Sequence, residues 1–388
     1  MVARKPISLA KGADSASQTW PDEPNRFNEE HVDPFLLWCV KKGSSDISVQ
    51  TDRQVYNEIN GILYPALYRA LDAADMSVFL AKIYGPEAQA RLASGTDLDV
   101  SYEIRPDRYT RTRFRVNITP ILSKGRDAAQ ITMRVLPSEP PTMRDLNIEE
   151  DIINNWAPRQ GMVVITGPTG SGKTTLLAAG NRMIMERPRG CGKMLTYEAP
   201  IEYTYDSIIS PRSLISQTEI PRHLPDFAHG VRNALRRKPN IILVGEARDR
   251  ETISAAIEAA QTGHAVYTTT HTIGVAATVR RMVTSFEIRE RSERAYALME
   301  TLRLIVTQAL VPKKTGGRLG IREWMRFPDE VREKLLDMNY EDWTMEIQRL
   351  IPQYGQTMTK TATMAFEQGL IERRWYLLLT NSGGAGGH

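Results

Sequence analysis

The residues best suited to chemistry form a phosphate-binding pattern, Gly167-Pro168-Thr169-Gly170-Ser171-Gly172-Lys173-Thr174, followed by Thr175. The segment matches the pattern G-x-x-x-x-G-K-[ST] and lies between an apolar run, GMVVIT, and a helical stretch. Its glycines let backbone N–H groups turn toward phosphate oxygens, and the helix N-terminus adds partial positive charge. Lys173 is predicted to contact the β- and γ-phosphates, and the Thr174 hydroxyl to bind Mg²⁺. We therefore expect ATP and Mg²⁺ at residues 167–175.

Two acidic residues follow apolar runs that are predicted to be neighbouring strands. Glu246 ends NIILVGE and Glu198 ends KMLTYE. Parallel sheets covered by helices bind ligands at the carboxyl ends of their strands, so both carboxylates are expected beside the phosphates. Glu246 is predicted to orient the attacking water or to hold Mg²⁺ through water, and Glu198 to act as a second catalytic carboxylate. A solvated position just past a strand is the alternative for each, and Glu202 either supports them or is exposed.

A third segment, residues 262–271, ends a predicted strand in three threonines and His271. A strand end of this kind beside a phosphate loop suits a sensor of the γ-phosphate. His264 begins the same strand, more than about 20 Å away at about 3.3 Å per residue, so the two histidines should not contact one nucleotide in one subunit. His271 is predicted to be linked to the nucleotide. For His264 both a structural position and a nucleotide-linked one stay open, and neither histidine has further Cys or His partners at zinc-ligand spacing.

Arginines collect in the N-terminal third of the chain. Arg111, Arg113 and Arg115 alternate along one predicted strand and so share a face, and Arg126 and Arg134 follow on nearby elements. Like charges on one sheet face are unfavourable unless anions meet them. One explanation is a solvated face with local carboxylate partners. The other is that these arginines reach a nucleotide held by a neighbouring subunit and stabilise the charge that develops in phosphoryl transfer.

Two domains are predicted to position these residues. Residues 31–137 combine amphipathic helices with strand-like runs and a hairpin turn at Asn60-Gly61, which predicts an α+β domain. In residues 148–380 short apolar strands alternate with helices, which predicts an α/β domain with a parallel sheet covered by helices on both faces. The remaining segments are predicted to be a flexible extension at 1–30, a proline-containing linker at 138–147 and a disordered Gly-rich tail at 381–388.

Composition excludes several classes of protein. The 388 residues carry a formal net charge of +4 with mixed signs, unlike a dedicated nucleic-acid binder. The basic run 231–239 is predicted to serve nucleotide or subunit contacts, and nucleic-acid binding is its alternative. Two cysteines, Cys39 and Cys191, cannot build a disulfide framework or a four-cysteine zinc site. The N-terminus lacks an export signal, and no stretch approaches the roughly 18 apolar residues of a membrane span. We expect a cytoplasmic protein, with peripheral association to a membrane through its partners.

The boxes GPTGSGKTT, YEAPIEY, ILVGEARD and TGHAVYTTTHT stand in the order of the secretion and pilus P-loop ATPases, a superfamily that the chain resembles over roughly residues 30–375. The segments SDISVQT, RFRVN and QALVPKKTGGR are also similar. The stretches SQTEIPRHLPDFAHGVRNALRRKP and RRMVTSF resemble the DotB- and TraJ-like branch of type IVB secretion and IncI-type conjugation. The resemblance implies a PAS-like N-terminal domain, a RecA-like ATPase domain and a homohexamer with ATP at subunit interfaces. It also implies partners in an inner-membrane secretion or conjugation machine, while the mixed charge predicts no direct binding of nucleic acid.

By motif, the resemblance implies a catalytic carboxylate at Glu246, assistance from Glu198 and His271, and arginine fingers among Arg113, Arg115, Arg126 and Arg134. The sequence departs from the pattern at Ala199, where many relatives have a second acidic residue. The lack of a four-cysteine zinc element disfavours the type II assembly branch. Three alternatives stay open: a PilT-like pilus-retraction motor, a nucleic-acid translocase or helicase, and a nucleotide-gated scaffold with negligible turnover.

Overall fold

A computed structural model describes residues 19–59, 61–107, 110–137 and 139–381. The chain divides into two compact units, Met1–Ser138 and Glu139–His388. The expectations for residues 1–18 and for most of the Gly-rich tail, residues 382–388, lie outside the described residues.

The first unit is a six-stranded antiparallel sheet, in the order β3-β2-β1-β6-β5-β4, with three helices. Its elements are α1 (Glu29–Lys41), β1 (Asp46–Gln50), β2 (Tyr56–Ile59), β3 (Ile62–Pro65), α2 (Ala73–Ile83), α3 (Ala88–Ala93), β4 (Leu98–Ile104), β5 (Thr112–Ser123) and β6 (Arg126–Leu136). The predicted α+β character is confirmed. Strands β2 and β3 pair at Ile59 and Ile62, as the predicted hairpin requires, although Asn60 itself lies outside the described residues.

The N-terminal boundary of this unit differs from the prediction. Trp20 and Phe27 are buried, with 4% and 5% exposure, and their rings lie 5.3 and 5.9 Å from the ring of Phe35 in α1. The backbone N–H of Phe27 also donates to Asp75 Oδ1 at 2.9 Å. Trp20 and Phe27 therefore anchor residues 19–30 to the core of the first unit, and these residues are not a flexible extension. The prediction failed there because two aromatic side chains in a polar, proline-containing segment carry no periodic signal.

The second unit is built on an eight-stranded sheet in the order β14-β13-β12-β7-β11-β10-β8-β9. Its strands are β7 (Gly161–Thr166), β8 (Gly192–Glu198), β9 (Ser213–Glu219), β10 (Ile241–Val244), β11 (Ala265–Thr270), β12 (Leu302–Pro312), β13 (Arg318–Arg326) and β14 (Gly355–Gln356). The six strands from β12 to β9 are parallel. At the other edge, β13 pairs antiparallel with both β12 and β14.

Helices cover both faces of this sheet. They are α4 (Glu150–Asn155), α5 (Lys173–Met185), α6 (Phe227–Leu235), α7 (Arg250–Gln261), α8 (Val275–Thr284), α9 (Ile288–Thr301), α10 (Asp329–Leu336), α11 (Trp343–Tyr354), α12 (Met358–Glu367) and α13 (Arg373–Asn381). Alternate residues of β7 enter separate cores: Met162 packs with residues of α6 to α9, and Val163 with residues of α4 and α5. Because side chains alternate along a strand, the sheet lies between two helical layers. The predicted α/β architecture is confirmed.

The segment predicted to be a linker packs within the second unit from residue 139 onward. Met143 is buried at 5% exposure and joins Ile148, Ile152 and Trp156 in the core that contains α4 and α5. The linker prediction is therefore wrong over residues 139–147. It failed because single apolar residues in a proline-rich segment form no periodic pattern. Within the described ranges, no helix has the length and apolar character needed to cross a bilayer.

Candidate nucleotide-binding site

The phosphate-binding loop occupies the turn between β7, which ends at Thr166, and α5, which begins at Lys173. Gly167 and Gly172 have φ angles of 140° and 80°, in the region that favours glycine. A Cβ atom on Gly167 would lie 2.2 Å from the backbone oxygen of Gln308 in β12. The first glycine of the loop is therefore required by the neighbouring strand as well as by the turn itself.

Lys173 folds back onto this loop. Its Nζ atom donates to the backbone oxygens of Gly167 at 2.8 Å and Pro168 at 3.1 Å. Burial lowers the pKa of Lys173, and the negative charges of Glu246 and Glu202 oppose that shift. These carboxylates therefore lie close enough to act on the ammonium group. An entering phosphate would offer the ammonium stronger, charged acceptors in place of two carbonyls.

Glu246 lies just after β10, where the backbone is fixed from both sides. The N–H of Gly245 donates to the oxygen of Tyr197 at 2.7 Å, and the N–H of Ala247 donates to the oxygen of Thr269 at 2.9 Å. Its Oε1 atom lies 3.3 Å from Nε2 of His271, and the two side chains are 25% and 47% exposed. A carboxylate on a rigid backbone, open to solvent and close to Lys173, can orient a water molecule or hold a hydrated metal ion.

The loop that carries His271 is fastened by threonine hydroxyls. The Thr272 hydroxyl lies 2.9 Å from that of Thr166, 3.0 Å from that of Thr270 and 2.8 Å from that of Thr278. These contacts join the ends of β7 and β11 to helix α8. The loop that carries His271 is thus tied to the strand that leads into the phosphate-binding loop.

Glu198, at the end of β8, is held differently from Glu246. It is 7% exposed and accepts hydrogen bonds from Thr196 Oγ1 at 2.6 Å and from Gln217 Nε2 at 3.1 Å. Gln217 also donates to the backbone oxygen of Tyr203, and the Tyr203 hydroxyl lies 3.0 Å from Thr175 Oγ1. This arrangement suits a carboxylate that supports the phosphate-binding segment, whereas Glu246 is better placed to meet water.

His264 lies at the other end of β11 from His271. Its Nδ1 atom lies 3.0 Å from the backbone oxygen of Ala259 and 3.2 Å from Thr262 Oγ1. These are local contacts at the end of helix α7, as expected of a histidine with a structural position. They support the structural alternative of the two that the sequence left open.

The arginines of the first unit have local carboxylate partners. The pairs are Arg113 with Glu103 at 3.5 Å, Arg115 with Asp99 at 3.6 Å and Arg134 with Asp46 at 2.9 Å. The side chain of Arg113 is only 5% exposed, whereas that of Arg134 is 66% exposed and Arg126 is exposed. Arg126 and Arg134 thus face solvent, whereas Arg113 does not.

The donor set fits Mg²⁺ bound together with a nucleotide. Within the residues that the structure describes, no three His, Cys, Asp or Glu side chains are grouped to hold a metal ion. Mg²⁺ commonly takes one or two protein ligands and completes its shell with water and phosphate oxygens. The hydroxyl of Thr174, at the start of α5, and the partly exposed carboxylate of Glu246 are groups of this number and kind that could hold it.

The structure adds site residues for which the sequence indicated no role, although they lie in the segments YEAPIEY, SQTEIPRHLPDFAHGVRNALRRKP and QALVPKKTGGR. Gln217 and Tyr203 support the Glu198 side of the site, and Gln308 of β12 donates to the backbone oxygen of Ser171 at 2.6 Å. Gln308 is the first residue of QALVPKKTGGR, but a single amide on a strand does not show which loop it contacts, so the sequence indicated no role for it. The repeated hydroxyls of residues 268–272 were the available signal for the threonine contacts around His271.

Comparisons with known proteins point in one direction. A family model described as type II/IV secretion system protein matches residues 23–316. The structure of the ATPase DotB from Legionella pneumophila is 48% identical, with a TM-score of 0.88 over 93% of this chain and 98% of that one. The pilus retraction motor PilT with bound ADP is 28% identical, with a TM-score of 0.78 over 90% of this chain and 96% of that one. The type IV pilus retraction ATPase PilT of Pseudomonas aeruginosa is 30% identical over 346 residues, which is 88% of this chain and 96% of that protein.

Proposed function

The chain belongs to the type II/IV secretion system protein family, and from this premise we propose that it is a hexameric, Mg²⁺-dependent motor of a type IVB-like secretion or conjugation machine. Relatives across this family are ATPases by name, and the chain is an ATP-hydrolysing enzyme. The greater similarity to DotB, at 48% identity against 28% for the PilT structure, supports the type IVB assignment.

The reaction is attack of a water oxygen on the γ-phosphorus of ATP, with cleavage of the bond to the β–γ bridging oxygen and release of ADP and phosphate. Glu246 accepts a hydrogen bond from the attacking water and orients it, and the proton that the water loses ends on the released phosphate. His271, at 3.3 Å, fixes the carboxylate. Lys173 exchanges the carbonyls of Gly167 and Pro168 for the β- and γ-phosphate oxygens. When bound, Mg²⁺ neutralises charge on those oxygens, and Thr174, with Glu246 through water, would hold it.

The single observation that carries this proposal is the contact between Glu246 and His271 at the carboxyl edge of the parallel sheet, where β11 pairs with β7, the strand that leads into the phosphate-binding loop. Binding alone would not require a water-facing carboxylate at that place, so a nucleotide-gated scaffold with negligible turnover is disfavoured. The arginines needed to complete the charge stabilisation are proposed to come from the first unit of a neighbouring subunit. The motor would act at the cytoplasmic face of the inner membrane through partner proteins, without binding nucleic acid directly.

A second candidate, a pilus-retraction motor, is favoured by the similarity to PilT over 88% of the chain. Both candidates hydrolyse ATP in the same way, but one would drive a secretion or conjugation machine and the other a pilus. Deletion of the gene in its host separates the two: loss of substrate or plasmid transfer supports the type IVB assignment, and loss of pilus-dependent surface movement supports retraction. Stimulation of hydrolysis by DNA would instead favour a translocase.

The test of the proposed motor is ATP hydrolysis by protein separated according to size, with Mg²⁺ or with EDTA, beside Lys173→Ala as the inactive control. We expect turnover in a hexamer-sized fraction, dependence on Mg²⁺ and none in the variant. Equal turnover in the monomer fraction would contradict the interfacial site. Turnover unaffected by EDTA would contradict the metal assignment.

A further inference from the structure

The side chain of Gln308 reaches from β12 to the phosphate-binding loop. Strands β12 and β7 are parallel, with Thr307 opposite Thr166, so Gln308 lies beside the first residue of the loop. It is 3% exposed, and its Nε2 atom donates to the backbone oxygen of Ser171 at 2.6 Å. This is a buried contact to the loop itself, made by a residue outside it.

The contact fixes the orientation of one peptide group. In a trans peptide the carbonyl and the N–H of the next residue point in opposite directions. Holding the Ser171 oxygen toward β12 therefore turns the Gly172 N–H away from β12. Phosphate loops bind through N–H groups turned inward in this way. The Gln308 amide thus controls a donor that it does not itself touch.

Arg322, on β13, determines which end of the Gln308 amide faces the loop. Its Nε atom donates to Gln308 Oε1 at 2.7 Å. A guanidinium has donors and no acceptor, so the amide oxygen must face it, and the amide nitrogen is left to face Ser171. A rotated amide would place its NH₂ group against the guanidinium and its oxygen against the Ser171 carbonyl, and both contacts would be repulsive.

The guanidinium of Arg322 is itself fixed by the segment that opens the second unit. It donates to the backbone oxygens of Leu146 and Asn147, each at 3.2 Å, and to Glu149 Oε2 at 3.0 Å. Arg322 is 3% exposed, so these partners replace water around a buried charge. The chain of contacts runs from residues 146–149 through Arg322 and Gln308 to Ser171.

We propose that Gln308 and Arg322 are positioning residues for nucleotide binding: Arg322 orients the Gln308 amide, which holds the Ser171–Gly172 peptide with its N–H toward the phosphates. The inference rests on the proposed ATP site at residues 167–175. It predicts a defect mainly in ground-state binding, so the KM for ATP and the Kd for ADP should rise together while kcat changes less.

The first test is Gln308→Glu beside Gln308→Met, with ADP binding measured by calorimetry in the presence of Mg²⁺. The glutamate keeps the size and the acceptor for Arg322 but loses the donor to Ser171, and the methionine loses both without adding charge. We expect each variant to bind ADP about tenfold more weakly than the wild type, as for a buried hydrogen bond left unmade. Gln308→Glu should bind ADP more weakly than Gln308→Met. In both variants the KM for ATP should rise while kcat changes less, a split that a general loss of stability would not produce.

The second test separates Arg322 from Gln308. Arg322→Met should weaken ADP binding on the wild-type background and add little on the Gln308→Met background, because it acts through that amide. Arg318→Met, on the same strand and exposed, should bind ADP as the wild type does. If Arg322→Met weakened ADP binding equally in the wild-type and Gln308→Met backgrounds, Arg322 would not act through Gln308, and the inference would be overturned.

Lys173→Ala separates this inference from the proposed site. Unchanged ADP affinity in both Gln308 variants, together with loss of binding in Lys173→Ala, would overturn the inference and leave the site standing. Unchanged affinity in Lys173→Ala would overturn the site and the inference with it.

Discussion

Nε2 of His271 lies 3.3 Å from Oε1 of Glu246. The two residues follow β11 and β10, which pair in parallel with Thr268 opposite Val244. The strand pairing therefore brings together two side chains that are far apart in sequence. The threonine contacts around Thr272 fix the loop that carries His271, so they also hold the His271 ring beside the Glu246 carboxylate.

Replacing His271 tests whether this contact serves catalysis. We expect His271→Ala to lower kcat by about tenfold to a hundredfold, because Glu246 loses the group that orients it. The Kd for ATP should stay within about threefold of the wild type, since the phosphates are held by the loop. Steady-state kinetics with calorimetric binding measure both. His264→Ala is the matched control on the same strand, and an equal loss of kcat there would point to a structural effect.

The solvent-facing arginines of the first unit are expected to act on a neighbouring subunit. The double variant Arg126→Ala/Arg134→Ala should lose about a thousandfold in kcat, the scale of an arginine finger. Mixed with Lys173→Ala protein, it should regain activity, because a mixed ring contains sites with an intact lysine and intact arginines. Arg105→Ala, whose side chain is 62% exposed, is the surface control. Failure of the mixture to exceed its components would contradict action across subunits.

Gly180, in helix α5, is predicted to be required by packing. Alanine favours helices over glycine by about 1 kcal/mol, so propensity alone predicts that Gly180→Ala stabilises the protein. A Cβ atom there would lie 2.0 Å from the buried Trp156 ring, however. We expect a net loss of about 1–3 kcal/mol, as for an overpacked core.

Urea unfolding of the full chain measures this change. The double variant Gly180→Ala/Trp156→Leu makes room for the methyl group and should lose less than the sum of its two single variants. Additive losses would contradict the steric explanation.

The stability of the first unit should depend on pH through Asp75. Burial alone would raise the pKa of Asp75, but hydrogen bonds from the Arg69 guanidinium and from the N–H groups of Phe27 and Asp72 lower it to about 2. A carboxyl with a lowered pKa stabilises the fold above its unfolded pKa of about 4, and the contribution is lost as pH falls toward 2. Asp75→Asn should therefore cost about 2 kcal/mol at pH 7.

Thermal unfolding of wild type and Asp75→Asn across pH 7 to 2 measures this contribution. The difference between the two proteins should shrink as the pH falls. Lys124→Ala, which breaks an exposed pair with Asp52, is the control and should change little at any pH. A difference that stays constant with pH would contradict the assignment to Asp75.

Much of this fold was predictable because local patterns agreed with it. The phosphate loop, the buried parallel strands and the residues after them follow from short motifs and apolar runs. The burial of Trp20 and Met143 was not predictable, since isolated apolar residues in polar, proline-containing segments resemble a loop. The contacts of Gln308 and Arg322 join two strands to the phosphate-binding loop and to residues 146–149. The QALVPKKTGGR segment marks the strand of Gln308, but it does not show these contacts between distant parts of the chain.

The central claim is that Glu246 orients the attacking water at a nucleotide held by residues 167–175. Its most direct test is Glu246→Gln, which keeps the size of the side chain and removes its charge. We measure kcat for ATP and the Kd for ATP with Mg²⁺ in the same assembled fraction. The account predicts that kcat falls by at least about a hundredfold while ATP binding and assembly persist. Turnover equal to that of the wild type, with ATP bound equally well, would contradict it.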